Sequence, residues 1–312
     1  MTNKIIILGA DRQWEEDTLL TQAKDKNYTA EFWFLADIAF VLSDDIRWYF
    51  KGQPIEDVLS GEEIFIMRRS RGGAEKMIHF VNLLNRLNIK HTDHERSIAS
   101  NLNKFHSLPT IKSTLCPHPN PTYIIHSLCE LESLKLHFPL VSKPVMGRHG
   151  EGILFHETPE TLHHIFDFSS EPHIIQPALE IESEFRIFVV GHESLGAIKK
   201  IPAEGKKVAN YASGAQFLPL DIPQEFHQEA IRICQEQKID IGGVDIARTK
   251  DGHYNILEVN RCPEFKAFSQ ARNINVAGKI IDFIHTLSSG PFRSSSQFLT
   301  VNHAFRRLIN RG

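Results

Sequence analysis

At 312 residues the chain is long enough for two or three lobes with ample buried core. Its hydrophobic content of 41% and charged content of 23% are ordinary for a soluble globular protein. A formal net charge of -3 carries no general signature of nucleic-acid or membrane binding.

The first predicted element is a buried-type strand, KIIILG over 4–9, too short for a signal peptide or a membrane span. A polar helix follows over 15–26, with strands near 31–35 and 63–67. Between 74 and 87, Met77, Phe80, Val81, Leu84 and Leu87 form one apolar helical stripe. This alternation predicts an α/β lobe over 1–97. GADRQ after the first strand is not GxGxxG, so no nucleotide site is placed there. Met67-Arg68-Arg69-Ser70-Arg71-Gly72-Gly73 joins a strand to a helix, where arginines and free N–H groups suit a carboxylate; a basic surface turn is the alternative.

A second unit over 98–175 opens with a helix over 98–108 and the connection CPHPNPT, which its prolines hold extended. A strand near 122–125, a helix near 128–136 and a strand over 139–143 come next. Lys143 ends that strand, ahead of a loop containing Gly147, Gly150 and Gly152 and then a further strand. Such glycines let backbone N–H groups approach anionic oxygens, and the lysine adds a mobile charge. That is the hairpin form of a phosphate cover, although an ordinary flexible hairpin has the same pattern. A third unit, placed at 176–288, carries strands near 185–190 and 195–201 after one at 173–176. Helices are expected over 224–238 and 276–287, and 289–312 read as a flexible tail. The cysteines, Cys116, Cys129, Cys234 and Cys262, are widely spaced with no CxxC, which favours reduced thiols in a cytoplasmic protein. Histidines are scattered without paired zinc spacing and read as structural or surface residues.

The most informative stretch is GGVDIARTKDGHYNILEVNRCPEF, 242–265. Apolar alternation on both sides of Asp251-Gly252 predicts a β-hairpin. Glu258 and Asn260 share one face of its second strand, and Asp245 lies on the first. Their hard oxygens are the ligand set of a Mg²⁺ ion that also holds phosphate; a solvated polar edge is the alternative. Glu258 sits between Leu257 and Val259, where a buried carboxylate is costly unless a metal or another partner meets it.

The order Lys143-Pro144, glycine loop, Ile174-Ile175-Gln176, Glu184-Phe185-Arg186, Asp245 and Leu257-Glu258-Val259-Asn260 resembles the ATP-grasp superfamily, and within it the RimK-type glutamate ligases. The resemblance covers about 97–287. It implies an α/β (α+β) ATP-grasp fold in which a small central lobe and a C-terminal lobe clasp ATP behind an N-terminal pre-grasp lobe. It further implies that Asp245, Glu258 and Asn260 hold two Mg²⁺ ions, for which Mn²⁺ can substitute, against the ATP phosphates. Lys104 and Lys143 would contact those phosphates under the lid of Gly147, Gly150 and Gly152. Gln176, Pro177, Ala178 and Leu179 would form the adenine hinge and Glu184 would bind the ribose. Arg186, Lys200 and Asn210 fall near the γ-phosphate and the acyl acceptor. Pro177, the run Tyr211-Ala212-Ser213-Gly214 and Arg261-Cys262 depart from the family pattern, beside the expected acceptor site.

The resemblance implies an ATP-dependent carboxylate–amine ligase. It would form an amide or peptide bond, amino-acid or glutamate addition among them, through an acylphosphate with release of ADP and phosphate. Partners would be small-molecule or peptide carboxylates and amines, without nucleic acid or membrane, and homo-oligomerisation stays open. An ATP-binding regulator or scaffold without turnover, and an ATP-grasp phosphotransferase, are the alternatives.

Overall fold

A computed structural model describes residues 4–42, 46–108, 111–146, 152–168, 171–204 and 214–289. The first lobe contains β1 (Lys4–Gly9), α1 (Trp14–Asp25), β2 (Thr29–Phe34), β3 (Ile38–Leu42), β4 (Ile46–Phe50), β5 (Gln53–Pro54), α2 (Ile55–Val58), β6 (Glu63–Met67), α3 (Ala74–Arg86) and β7 (Lys90–His91). Strands β2-β1-β6-β7 form a sheet whose paired neighbours all run parallel. The run KIIILG suits its interior, because parallel strands covered on both faces read as continuous apolar runs. Helix α1 begins where the Glu16 carboxylate accepts the Gln13 N–H at 2.9 Å. A separate antiparallel sheet, β3-β4-β5, was not foreseen from the sequence.

Helices α4 (Glu95–Leu102) and α5 (Lys104–Ser107) replace the single helix expected over 98–108. The central lobe follows with β8 (Tyr123–Ile125), α6 (Leu128–Glu132), β9 (Leu140–Pro144), β10 (Leu154–His156), α7 (Pro159–Phe168) and β11 (His173–Pro177). Its sheet has the order β10-β9-β11-β8. The boundary expected between 175 and 176 lies inside β11, and the chain leaves this sheet only after Pro177.

The third lobe has β12 (Ile181–Val190), β13 (Glu193–Ile201), β14 (Gln216–Leu220), α8 (Gln224–Glu236), β15 (Ile241–Thr249), β16 (Tyr254–Asn260), α9 (Lys266–Arg272) and α10 (Val276–Ser289). Its antiparallel sheet runs β14-β13-β12-β15-β16. The mixed α/β architecture expected from the sequence is therefore present. Among the described residues no helix is long and apolar enough to cross a membrane.

Core packing sets how the lobes relate. Ile5, Ile7, Leu19 and Ile66 of the first lobe share one apolar core with Phe188, Val190, Phe268, Ile280 and Ile284 of the third. Phe185, Ile187, Val189, Phe226, Ile233 and Val244 form a second core on the opposite face of the third sheet. The central lobe has its own core of Ile125, Leu131, Leu140, Leu162, Ile165 and Ile175.

Candidate active site

Along β12, Phe185 and Ile187 enter the core beneath α8, so Glu184 and Arg186 face the other way. Further along that second face, Phe188 and Val190 join the core shared with the first lobe. The polar residues thus begin where this shared core ends. Register brings the rest together: Glu184 lies opposite Lys200, Arg186 opposite Asp245, and Asp245 opposite Glu258. Pairing shifts between Asp245 and Ile246, leaving Leu257 as the extra residue of a bulge. The bulge lets Ile256 and Val259 both enter the α8-side core while Glu258 and Asn260 stand on the polar face.

Asp245 is the hub. Its Oδ1 accepts from Arg186 Nε at 2.6 Å, and its Oδ2 accepts from Arg186 Nη2 at 2.8 Å and Lys200 Nζ at 3.0 Å. Lys200 also donates to Glu184 Oε1 at 2.6 Å. Burial opposes ionisation of Asp245, but Arg186 and Lys200 outweigh it and hold the carboxyl well below the usual carboxylate range. Burial, with Asp245 as a like-charged neighbour, raises Glu184 despite the opposing pull of Lys200.

The central lobe supplies two more cations. The Lys104 N–H donates to the Val145 carbonyl at 3.3 Å, which ties α5 to the end of β9. Lys143, two residues earlier, thereby lies within electrostatic reach of Lys104, and both feel Glu258. Desolvation first, and Lys104 second, push Lys143 down to about 8, with Glu258 opposing. Desolvation lowers Lys104 as well, again opposed by Glu258. Two ammonium groups held close without much water form a cradle for an anion. His118, in the proline-rich connection, was not singled out from the sequence; burial and then Lys143 lower its pKa.

Gln176 is buried and its Nε2 donates to Thr122 Oγ1 at 2.7 Å, so its side chain braces the lobe internally. At the expected hinge the Ala178 N–H already donates to Pro139 O, and the Leu179 carbonyl accepts from Ile181 N–H. Glu184, expected at the ribose, is engaged by Lys200. Gly152 has φ +72, and a Cβ there would stand 2.7 Å from Pro144 Cγ, so the approach to β10 requires glycine. Gly147, Gly150, Asn210 and residues 211–213 lie outside the described residues, as do 290–312 of the tail.

Asp245, Glu258 and the Asn260 amide are hard oxygen donors on one sheet face, and they fit a Mg²⁺ ion that also takes phosphate oxygens and water. Their prior commitments differ. Asp245 accepts three hydrogen bonds, whereas Asn260 Oδ1 accepts one, from the Cys262 N–H at 3.0 Å. Among the described residues, no group of three or more His, Cys, Asp or Glu forms a metal cluster, so nucleotide phosphates would have to complete the shell.

Three expectations need correction. Glu258 is exposed, so the cost of a buried carboxylate is not what calls for a metal there. The buried carboxylate is Asp245, and its partners are protein cations. The Arg261 side chain, expected beside the acceptor, is 2% exposed and points into the first lobe, bonding Asp93 and the Arg68 carbonyl. Arg68 and Arg69 do not form an open carboxylate site either. Glu16 takes Arg68 Nε at 2.9 Å and Arg69 Nη2 at 2.5 Å, and Arg71 Nε lies 2.8 Å from Asp11. The acidic residues come from α1 and the turn before it, which that stretch of sequence alone does not reveal.

Residues 103–284, more than half of the chain, match the model of the RimK-like ATP-grasp domain. The chain belongs to the RimK-like ATP-grasp family. It is 26% identical over 211 residues to a probable alpha-L-glutamate ligase of Legionella pneumophila (strain Corby), covering 65% of this chain and 68% of that one. It is 24% identical over 177 residues to beta-citrylglutamate synthase B of Danio rerio, covering 54% of this chain and 43% of that one. In fold it resembles the ATP-grasp ligase PsnB complexed with a minimal precursor, with a TM-score of 0.69 at 14% identity over 91% of this chain and 98% of that one. The macrocyclase MdnC of Microcystis aeruginosa MRC, bound with its precursor peptide MdnA, gives a TM-score of 0.67 at 15% identity over 91% of this chain and 99% of that one. This RimK-like protein is accordingly an ATP-grasp ligase of the C–N bond-forming class. The family uses ATP and Mg²⁺, and PsnB has been seen with Mg and ADP.

Proposed function

We propose that this ligase joins a carboxylate to an amine through an acylphosphate, releasing ADP and phosphate. The observation that carries the reading is the convergence of cations and oxygen donors on one cleft. Arg186 and Lys200 are fixed by Asp245, while Lys104 and Lys143 lie within electrostatic reach of Glu258 from the central lobe. Lys104 and Lys143 would bind the nucleotide phosphates under the lid that ends at Gly152. Arg186 and Lys200, already oriented before substrate arrives, would face the transferring phosphoryl group. A carboxylate oxygen of the acid attacks the γ-phosphorus and the bond to the ADP oxygen breaks. The amine nitrogen then attacks the acyl carbon, phosphate departs and the amine loses its proton. Glu258, Asp245 and Asn260 would hold Mg²⁺, as two ions in the full complement, and the metal would supply positive charge against the phosphate oxygens. Closure of the lid keeps water from the acylphosphate. Asn210 is assigned to the acceptor side, Gln176 to Leu179 to the adenine and Glu184 to the ribose.

The names of the sequence relatives support an amino acid, glutamate first, as one substrate. The solved peptide complexes of the structural neighbours support a peptide as the other. The test is an ADP-release screen pairing glutamate, other amino acids and dipeptides with amine and carboxylate acceptors, followed by product mass. A product lighter than its two substrates by one water, with ADP formed in step, is expected. AMP and pyrophosphate would overturn the mechanism. ADP formed without any amine requirement would mark a phosphotransferase, and tight ATP binding without turnover would mark a regulator.

A further inference from the structure

We infer that Arg261 is a positioning residue: clamped by the first lobe, it fixes the turn that orients Asn260 toward the metal. The inference rests on the metal-site reading above. Asn260 Oδ1 accepts the Cys262 N–H at 3.0 Å, closing a three-residue turn with Arg261 at its centre. The Arg261 guanidinium leaves that turn for the lobe interface. There it donates Nη1 to Asp93 Oδ2 at 2.8 Å and Nη2 to the Arg68 carbonyl at 2.7 Å, with Met77 Sδ at 3.5 Å. Both partners of the ion pair are buried, with side-chain exposures of 2% and 0%.

Asp93 is itself held from behind. Its N–H donates to Asp240 Oδ2 at 3.0 Å, the Asp240 N–H returns to Asp93 Oδ1 at 3.3 Å, and its backbone sits at φ +62. A second clamp closes a few residues on, where Glu15 Oε1 of α1 accepts the N–H groups of Phe265 and Lys266 at 3.3 Å. The segment that leaves the metal strand is thus fixed to the first lobe at 261 and again at 265–266. Asn260 has one oxygen to offer, and part of it is committed to Cys262, so the direction of the rest depends on the turn. An outer residue that orients a ligand in this way commonly changes metal affinity by about tenfold or more. A rigid fork able to bond a carboxylate and a carbonyl together requires arginine rather than lysine.

The test uses the full chain with ADP and Mn²⁺, counting bound Mn²⁺ by electron paramagnetic resonance. The pair Arg261→Gln with Asp93→Asn removes the clamp without leaving a buried charge unpaired. It is expected to keep the circular dichroism of the fold and to weaken Mn²⁺ by about tenfold. Asn260→Ala added to the pair should weaken binding no further than Asn260→Ala alone, because Arg261 acts through that amide. Leu19→Ala, which loosens the shared core elsewhere, should lower Tm and leave Mn²⁺ affinity unchanged. Unchanged affinity in the pair, fully additive losses with Asn260→Ala, or an equal loss in Leu19→Ala would each overturn the inference. If the pair does not fold, Arg261→Lys carries the same comparison. Failure of the underlying metal site reads differently: the unaltered chain would bind no Mn²⁺ with ADP, or Glu258→Gln would bind it as well as the unaltered chain.

Discussion

Asp245 and Glu258 are cross-strand neighbours with opposite surroundings, and substitutions should separate their roles. Glu258 is exposed, so Glu258→Gln should change stability by no more than about 0.5 kcal/mol while ADP release collapses. Near-normal turnover in the folded variant would remove Glu258 from the metal site. Arg186→Lys keeps a charge beside Asp245 but loses the two-point fork, and kcat should fall roughly 10²- to 10³-fold with a smaller change in the KM for ATP. A change confined to KM would place Arg186 in ground-state binding instead.

Lys143 gives the site a pH signature. Desolvation and Lys104 bring it down to about 8, whereas phosphate oxygens favour its charged form. Nucleotide binding around pH 8.5 should therefore take up protons, seen by calorimetry in buffers of different ionisation heat, and Lys143→Arg should reduce the uptake. Stability moves the other way. Between about 8 and the ordinary lysine value of 10.5, the unfolded chain holds a proton that the folded protein has released, so this group's contribution to stability rises with pH. Proton release on binding, or none, would contradict this placement of Lys143.

At the scale of elements, the close approach of β15 and β12 depends on Gly243. A Cβ at Gly243 would lie 3.1 Å from Pro263 Cβ and 3.2 Å from Arg186 Cδ. Gly243→Ala should push Arg186 off Asp245 and lower kcat well before it lowers Tm; equal effects on both would mean general loosening. The β15–β16 hairpin was legible in the sequence because alternation and Asp251-Gly252 are local signals. The bulge at Leu257 was not, and it decides why Glu258 faces the cleft while Val259 is buried. Nor could sequence show that Asp245 belongs to Arg186 and Lys200, since that depends on register between strands far apart in the chain. Arg261 misled for the same reason: adjacency to Asn260 suggested the acceptor, while its direction was set by Asp93 in another lobe. The sheet β3-β4-β5 escaped because Phe40, Val41, Leu42 and Ile46 are exposed apolar residues without the in–out alternation that marks a half-buried strand.

Across the whole molecule, the first and third lobes share a core and the Arg261 and Glu15 clamps, whereas the central lobe packs around its own residues. Closure over nucleotide should therefore move the central lobe as a unit against a fixed pair. A spin label on Cys129, exposed on α6, should approach a second label on α10 when ADP and Mg²⁺ are added, while a label on α1 keeps its distance from α10. Relative motion of α1 and α10 would contradict the shared core. Oxygen tracing follows the transfer of the γ-phosphoryl group to a carboxylate and the amide formation after it. An acid identified in the ADP screen, labelled with ¹⁸O in its carboxylate, should pass one labelled oxygen into the released phosphate as the amide forms. Unlabelled phosphate, or label found in AMP, would contradict it.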